Sequence, residues 1–195
     1  MRLVSTVATV LLAAAIGDAV PAAERPDQGG APQPNTQAGA AVQYTASGDL
    51  LRPEGYRTWV FVGASLGLSY ADSASAEGMG DFHHVYLRPE AYDAYRRTGR
   101  FPDKTVLVLE LHEATPKAPP ARHGLFEGRR IALEAAVKDV ERFPEGWAYF
   151  SFGDGSRRAA AAFPRARCFE CHRQHAAADN VFTQFYPVLR DPPVD

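Results

Sequence analysis

Both cysteines of the chain fall within five residues, Cys168-Phe169-Glu170-Cys171-His172. A fold stapled by disulfides is therefore excluded, and the chain must hold itself by a packed core. It has the means: 195 residues, 46% hydrophobic and 11% aromatic. The spacing C-x-x-C-H is the attachment pattern of c-type haem. On a helical turn, residues i and i+3 share a face, so both sulfurs reach the same side of a macrocycle. The following histidine then serves as the proximal iron ligand. Three other chemistries share part of the motif. A redox dithiol lacks its usual βαβ context here, a zinc site lacks further sulfur, and a disulfide at this spacing is strained.

The charge balance, 21 basic against 23 acidic residues, with a pI near 6.3, excludes a basic nucleic-acid-binding domain. Residues 1–22 read as a signal peptide: Arg2, the apolar run Leu3 to Gly17, and small residues Val20 and Ala22 before a cut. The run is too short for a spanning helix, which needs about 20 apolar residues. The expectation is export to the periplasm, where covalent haem attachment takes place, with no stable membrane anchor. Residues 23–41, rich in Pro, Gly, Gln and Ala, read as a flexible linker. Residues 42–195 form the folded body, long enough to bury a core without staples.

Within the body, Tyr56 to Gly63, Phe82 to Leu87, Lys104 to His112 and Trp147 to Phe152 have the β-branched and aromatic content of strands. Pro89 opens a helix that Gly99 ends. Arg129 to Val140 is ambiguous between helix and strand. Thr115 to Gly124 is a proline-rich surface crossing. Sequential strands with short links predict an α+β fold: an antiparallel sheet of about five strands with packed helices.

The segments Tyr56 to Tyr70, Phe82 to Leu111, Glu141 to Gly155 and Cys168 to Arg190 together resemble the cytochrome P-460 and cytochrome c-prime-beta family of exported mono-haem proteins. The resemblance implies haem c bound through Cys168 and Cys171 against one face of a five-stranded sheet, His172 on iron, and a homodimer. It also implies chemistry at the distal iron face, either binding nitric oxide or oxidising hydroxylamine.

Phe61, Phe82 and Leu109, with Leu107, Phe150 and Phe152, are the strand positions expected to line an apolar haem pocket. His83 and His84, adjacent on a strand, point to opposite faces and read mainly as surface residues. His112 and His123 read as solvated, and His175 as a haem-edge or surface residue. Met79 offers a sixth iron ligand in a simple electron carrier. Among the arginines, Arg157, Arg158, Arg165 and Arg167 read as mostly solvated, with some left to pair with haem propionates. Lys104, Lys117 and Lys138 are the only lysines. In the enzymatic branch of the resembled family a lysine is cross-linked to the macrocycle, and the equivalent interior position here is Leu109. Three readings follow: a protein with an open iron site for nitric oxide or related nitrogen oxides, a hydroxylamine or nitric oxide oxidoreductase, and an electron carrier. Each has a periplasmic redox partner. The first is favoured because no carboxylate stands out on the candidate haem-facing strands except Glu110.

Overall fold

The computed structural model describes residues 42–69, 80–116 and 119–190. The expected signal peptide and linker, Met79 and Lys117 lie outside them. The strands are β1 (Leu50–Leu51), β2 (Val60–Leu66), β3 (Asp81–Leu87), β4 (Val106–Pro116), β5 (Leu125–Lys138), β6 (Trp147–Ser151) and β7 (Ala159–Ala160). The helices are α1 (Pro89–Thr98), α2 (Phe169–His175) and α3 (Pro187–Arg190). Strands β2 to β6 form one antiparallel sheet in sequence order, and β1 pairs with β7 in a two-stranded ribbon. The expected α+β architecture with five strands is therefore the one observed. Among the described residues no helix is long and apolar enough to cross a membrane.

Local chemistry accounts for most of the element boundaries. Proline occupies the first helical position of α1, where its missing N–H costs nothing, and Gly99 ends the helix at φ 69°. The ambiguous segment around Arg129 to Val140 is strand, part of the 14-residue β5. Its alanines carry little preference of their own, and pairing with β4 on one side and β6 on the other decides the outcome. The segment Tyr56 to Thr58, expected to open a strand, is instead a 3-10 turn behind Gly55 at φ 66°. Here a buried side-chain bond from Tyr56 to Glu110 overrides strand propensity.

Alternation along the strands divides the sheet into two faces. On the first, Val85, Leu87, Leu107, Trp147 and Tyr149 pack with Phe169, Tyr186 and Leu189 from the C-terminal segment and with Ala91 of α1. Tyr95 of α1 stacks on Phe101 at 4.2 Å, and Phe101 meets Trp147 edge-on at 6.2 Å. On the second face, Val106, Val108, Leu133, Ala135, Val137, Phe150 and Phe152 pack under Leu50 and Tyr56. The sheet is thus the middle layer between helices on one side and the β1–β7 ribbon on the other. The C-terminal segment approaches β2 closely. A Cβ at Gly63 would lie 2.6 Å from a ring carbon of Tyr186, so only glycine admits this contact.

Candidate functional site

The motif Cys168 to His172 sits at the start of α2, on the first face of the sheet. Phe169 is buried beneath it and anchors the helix in the core. Arg165 reaches Glu145 and Glu170, and Arg173 reaches Glu170; these are exposed contacts that add little stability. Cys168 and Cys171 are half-buried free thiols, and Cys168 packs on the first-face core as Leu109 and Ala136 do. Burial pushes the Cys168 thiol up, with the charges of Glu134 and Cys171 adding to the shift and Arg167 opposing it.

His172 is fixed in one tautomer. Its ring lies between Tyr149, at 4.4 Å, and Phe182, at 4.5 Å. Nδ1–H donates to the backbone oxygen of Asn180 at 2.8 Å, which leaves the Nε2 lone pair as the free donor. A ligating histidine is prepared in this way: the non-ligating nitrogen is held by a carbonyl that sets ring orientation. Burial lowers the His172 pKa, opposed by the Asn180 bond, so the ring favours the neutral form that a metal requires.

The Asn180 carbonyl belongs to a tight turn that is itself tied to the sheet. Asp179 and Asn180 both adopt left-handed backbone angles, φ 48° and 59°, between the bridged residues Ala178 and Val181. Tyr149 Oη donates to the same Asn180 oxygen at 3.2 Å. Asp179 accepts from Trp147 Nε1 at 3.2 Å and from Lys138 Nζ at 2.7 Å. The imidazole is therefore oriented by β5 and β6 through one turn. No sequence pattern near His172 announces this arrangement beyond the Asp-Asn pair, which tolerates left-handed angles.

The sheet face beside Cys168 is largely apolar, presenting Val85, Leu107, Leu109 and Ala136. Leu109 lies on this face. Phe61 and Phe82 do not. They pair in register with Tyr86 and His112, residues of the second face, and both rings pack near His84. Phe150 and Phe152 are likewise in the second-face core. The register break between Phe61 and Gly63 could not be read from β2 alone.

Glu134 and His83 are ionisable groups of the first face. Glu134 pairs with Leu109 on one side and with Ser151 on the other. Burial pushes its carboxyl up, and Arg167 opposes the shift only in part. His83 pairs with Leu111 and Ser65; burial lowers its pKa. Glu110, by contrast, is on the second face, bonded to Tyr56, Arg57 and Arg130. The acid on the sheet face beside the motif is therefore Glu134, which sequence reading missed. Alternation in Ala132 to Lys138 would have placed it with Ala136.

The remaining candidates are dispersed. Arg157, Arg158, Arg165, Arg167, His123 and His175 are exposed. His84 and His112, expected at the surface, are buried at 7% and 8% exposure, because both face Glu110 across and along the ladder. Lys104 binds Asp139 and Glu141 at the edge of the fold, and Lys138 also donates to the Phe101 carbonyl.

The donor set fits a covalent haem: two unpaired thiols three residues apart, an adjacent imidazole with Nε2 free, and an apolar sheet face beside them. It does not fit zinc, since among the described residues neither cysteine belongs to a group of three metal-ligating side chains.

No curated protein matches the chain. The family profile described as Cytochrome P460 matches residues 53–183, which takes in the 3-10 turn at Tyr56, strands β2 to β7 and the whole of α2. That span is about two thirds of the chain and includes His172, the turn that orients it and the sheet face beside it, so the chain belongs to the cytochrome P460 family, whose members carry haem.

Proposed function

We propose that the protein is an exported mono-haem c-type cytochrome whose iron keeps one position open for nitric oxide or a related small nitrogen oxide. Cys168 and Cys171 form the two thioethers, and His172 Nε2 is the protein's iron ligand. The observation that carries this reading is the bond from His172 Nδ1–H to Asn180, which leaves Nε2 free and orients the ring beside two unpaired thiols. Bound haem supplies a redox-active iron that takes diatomic ligands. The chain's own residues set the environment. Leu107, Leu109 and Val85 exclude water from the adjacent sheet face, and an apolar wall favours uncharged ligands. Leu109 brings no ligand atom to the face.

Absorption spectra of the natively matured, reduced protein test the proposal. A five-coordinate spectrum that changes on adding nitric oxide or carbon monoxide is the expected result. A low-spin, six-coordinate spectrum indifferent to both gases would establish the electron-carrier reading instead.

Glu134 favours a second reading, a hydroxylamine or nitric oxide oxidoreductase. A carboxyl raised by burial beside an apolar face holds its proton more readily than an ordinary carboxylate, and proton-coupled oxidation requires a group that takes and gives one. Electrons would leave to a periplasmic redox partner. Hydroxylamine-dependent reduction of an added electron acceptor, abolished in Glu134→Gln, would establish this reading; no turnover in the parent protein would remove it. Exposed Phe61 and Leu66 on the edge strand β2 supply apolar surface for the homodimer we infer.

A further inference from the structure

We infer that the second sheet face carries a separate site for a divalent transition-metal ion, held by His84, Glu110 and His112. His84 and Glu110 are direct partners across β3 and β4. Glu110 and His112 are two residues apart on β4, so all three side chains project from the same face. Each offers a ligand atom within 4.8 Å of the others, and all three residues are buried. The face is opposite that of Leu109, so this site is distinct from the haem region.

His112 supplies the independent observation. Its Nδ1 lies 3.0 Å from the Gly128 carbonyl oxygen. A carbonyl only accepts, so Nδ1 carries the proton and Nε2 carries a lone pair. Nε2 is fully buried and has no hydrogen-bond partner. Its nearest charged neighbour is Glu110 Oε1 at 3.6 Å, another acceptor and too far for a hydrogen bond. An orphaned buried nitrogen is costly, because it has given up its water without a replacement partner. A cation between the lone pair and the carboxylate removes that cost. The Nδ1–H bond to a backbone carbonyl is also the outer-sphere contact that ligating histidines use.

The chemistry of the set selects the ion. Two imidazoles and one carboxylate match zinc or copper, whereas calcium and magnesium require mostly oxygen donors. Glu127 Oε1, 3.2 Å from His84 Nε2, is a candidate fourth donor beside the cluster. Arg57 and Arg130 already share the Glu110 carboxylate and oppose a cation, which sets a moderate affinity. Arg57 is largely exposed and can swing away. Tyr56, Arg57 and Arg130, the residues bonded to Glu110, also line a cavity with Glu54.

The test is zinc titration by calorimetry on the tag-free, haem-loaded protein, with thermal melts in parallel. The expected result is one zinc per chain and a zinc-dependent rise in Tm. Both are weakened at least tenfold in zinc concentration by His112→Gln and by His84→Gln. An unaltered haem absorption spectrum in both variants shows that they fold and that the haem reading stands or falls separately. Absence of zinc binding in the parent, or binding undiminished in both variants, overturns the proposal; the second result would place zinc on exposed histidines such as His123 or His175.

Discussion

Leu109 and Glu134 are direct partners across the β4–β5 ladder, on the sheet face against which Cys168 packs. An apolar residue and a partly buried acid therefore stand side by side next to the motif. The pairing brings hydrophobic exclusion and a titratable proton to one place. Apolar surroundings are what raise the acid, since a carboxylate loses hydration there without a cation close enough to compensate.

The first prediction concerns stability and pH. The ordinary Glu134 carboxyl value is 4.5, and burial raises it in the folded chain. The folded state therefore holds this proton more tightly than the unfolded state. The associated stabilisation is complete below the ordinary value and is lost as pH rises through the raised one. Glu134→Gln keeps a neutral side chain of similar shape. It should melt above the parent at neutral pH, and the gap should close on acidification. Melts of haem-loaded protein across that range check it; a gap that widens toward acid would reverse the assignment.

The second prediction is that Cys168→Ser with Cys171→Ser abolishes haem staining of the denatured protein band, while the parent band stains. Each thiol is free to bond, and no other cysteine exists to replace it. His172→Ala should retain covalent haem and lose the spectrum of an imidazole-ligated iron. Staining that survives the double substitution would place attachment elsewhere.

How far the sequence carried can be judged from these same residues. The C-x-x-C-H spacing, the Pro89 start and Gly99 stop of α1, and the aromatic run of β6 are local signals, and the structure contains each element where the signal lies. The face of each strand is not local information. Phe61 and Phe82 have the composition of pocket residues, yet pairing and the irregularity before Gly63 put them on the second face. His84 and His112 have the polarity of surface residues, yet Glu110 draws them inward from neighbouring positions. The orientation of His172 depends on a turn eight residues later and on side chains from β5 and β6, which no periodicity links to it.

A third prediction separates the two sheet faces. Phe150 is 1% exposed in the second-face core. Phe150→Ala should cost about 3–5 kcal/mol, read by denaturant unfolding, without shifting the haem absorption maximum. Gly63→Ala should cost roughly 1–3 kcal/mol through overpacking, because the added Cβ meets the Tyr186 ring. A Gly63→Ala variant as stable as the parent would mean that Tyr186 is not held against β2.

The last prediction concerns the lysines. A cross-link to the macrocycle needs a lysine whose nitrogen is neutral, unengaged and beside the haem. Lys104 fails on each count. It sits in a turn at φ 63°, and its ammonium binds Asp139 and Glu141, contacts that hold its pKa above the usual lysine value. Lys138 points from the same face of β5 as Glu134 and lies nearer the motif. Its nitrogen is spent on Asp179 and the Phe101 carbonyl. Detaching it would leave Asp179 with only Trp147 and loosen the turn that orients His172. The interior position between these lysines, Leu109, carries no nitrogen in its side chain. The expected outcome of peptide mass mapping is therefore a single haem peptide containing Cys168 and Cys171, with no second peptide attached. A haem peptide joined to one containing Lys138 or Lys104 would overturn this and favour the hydroxylamine-oxidising reading. Lys138→Met gives a complementary result: it should leave the haem mass unchanged while weakening the His172 ligation spectrum.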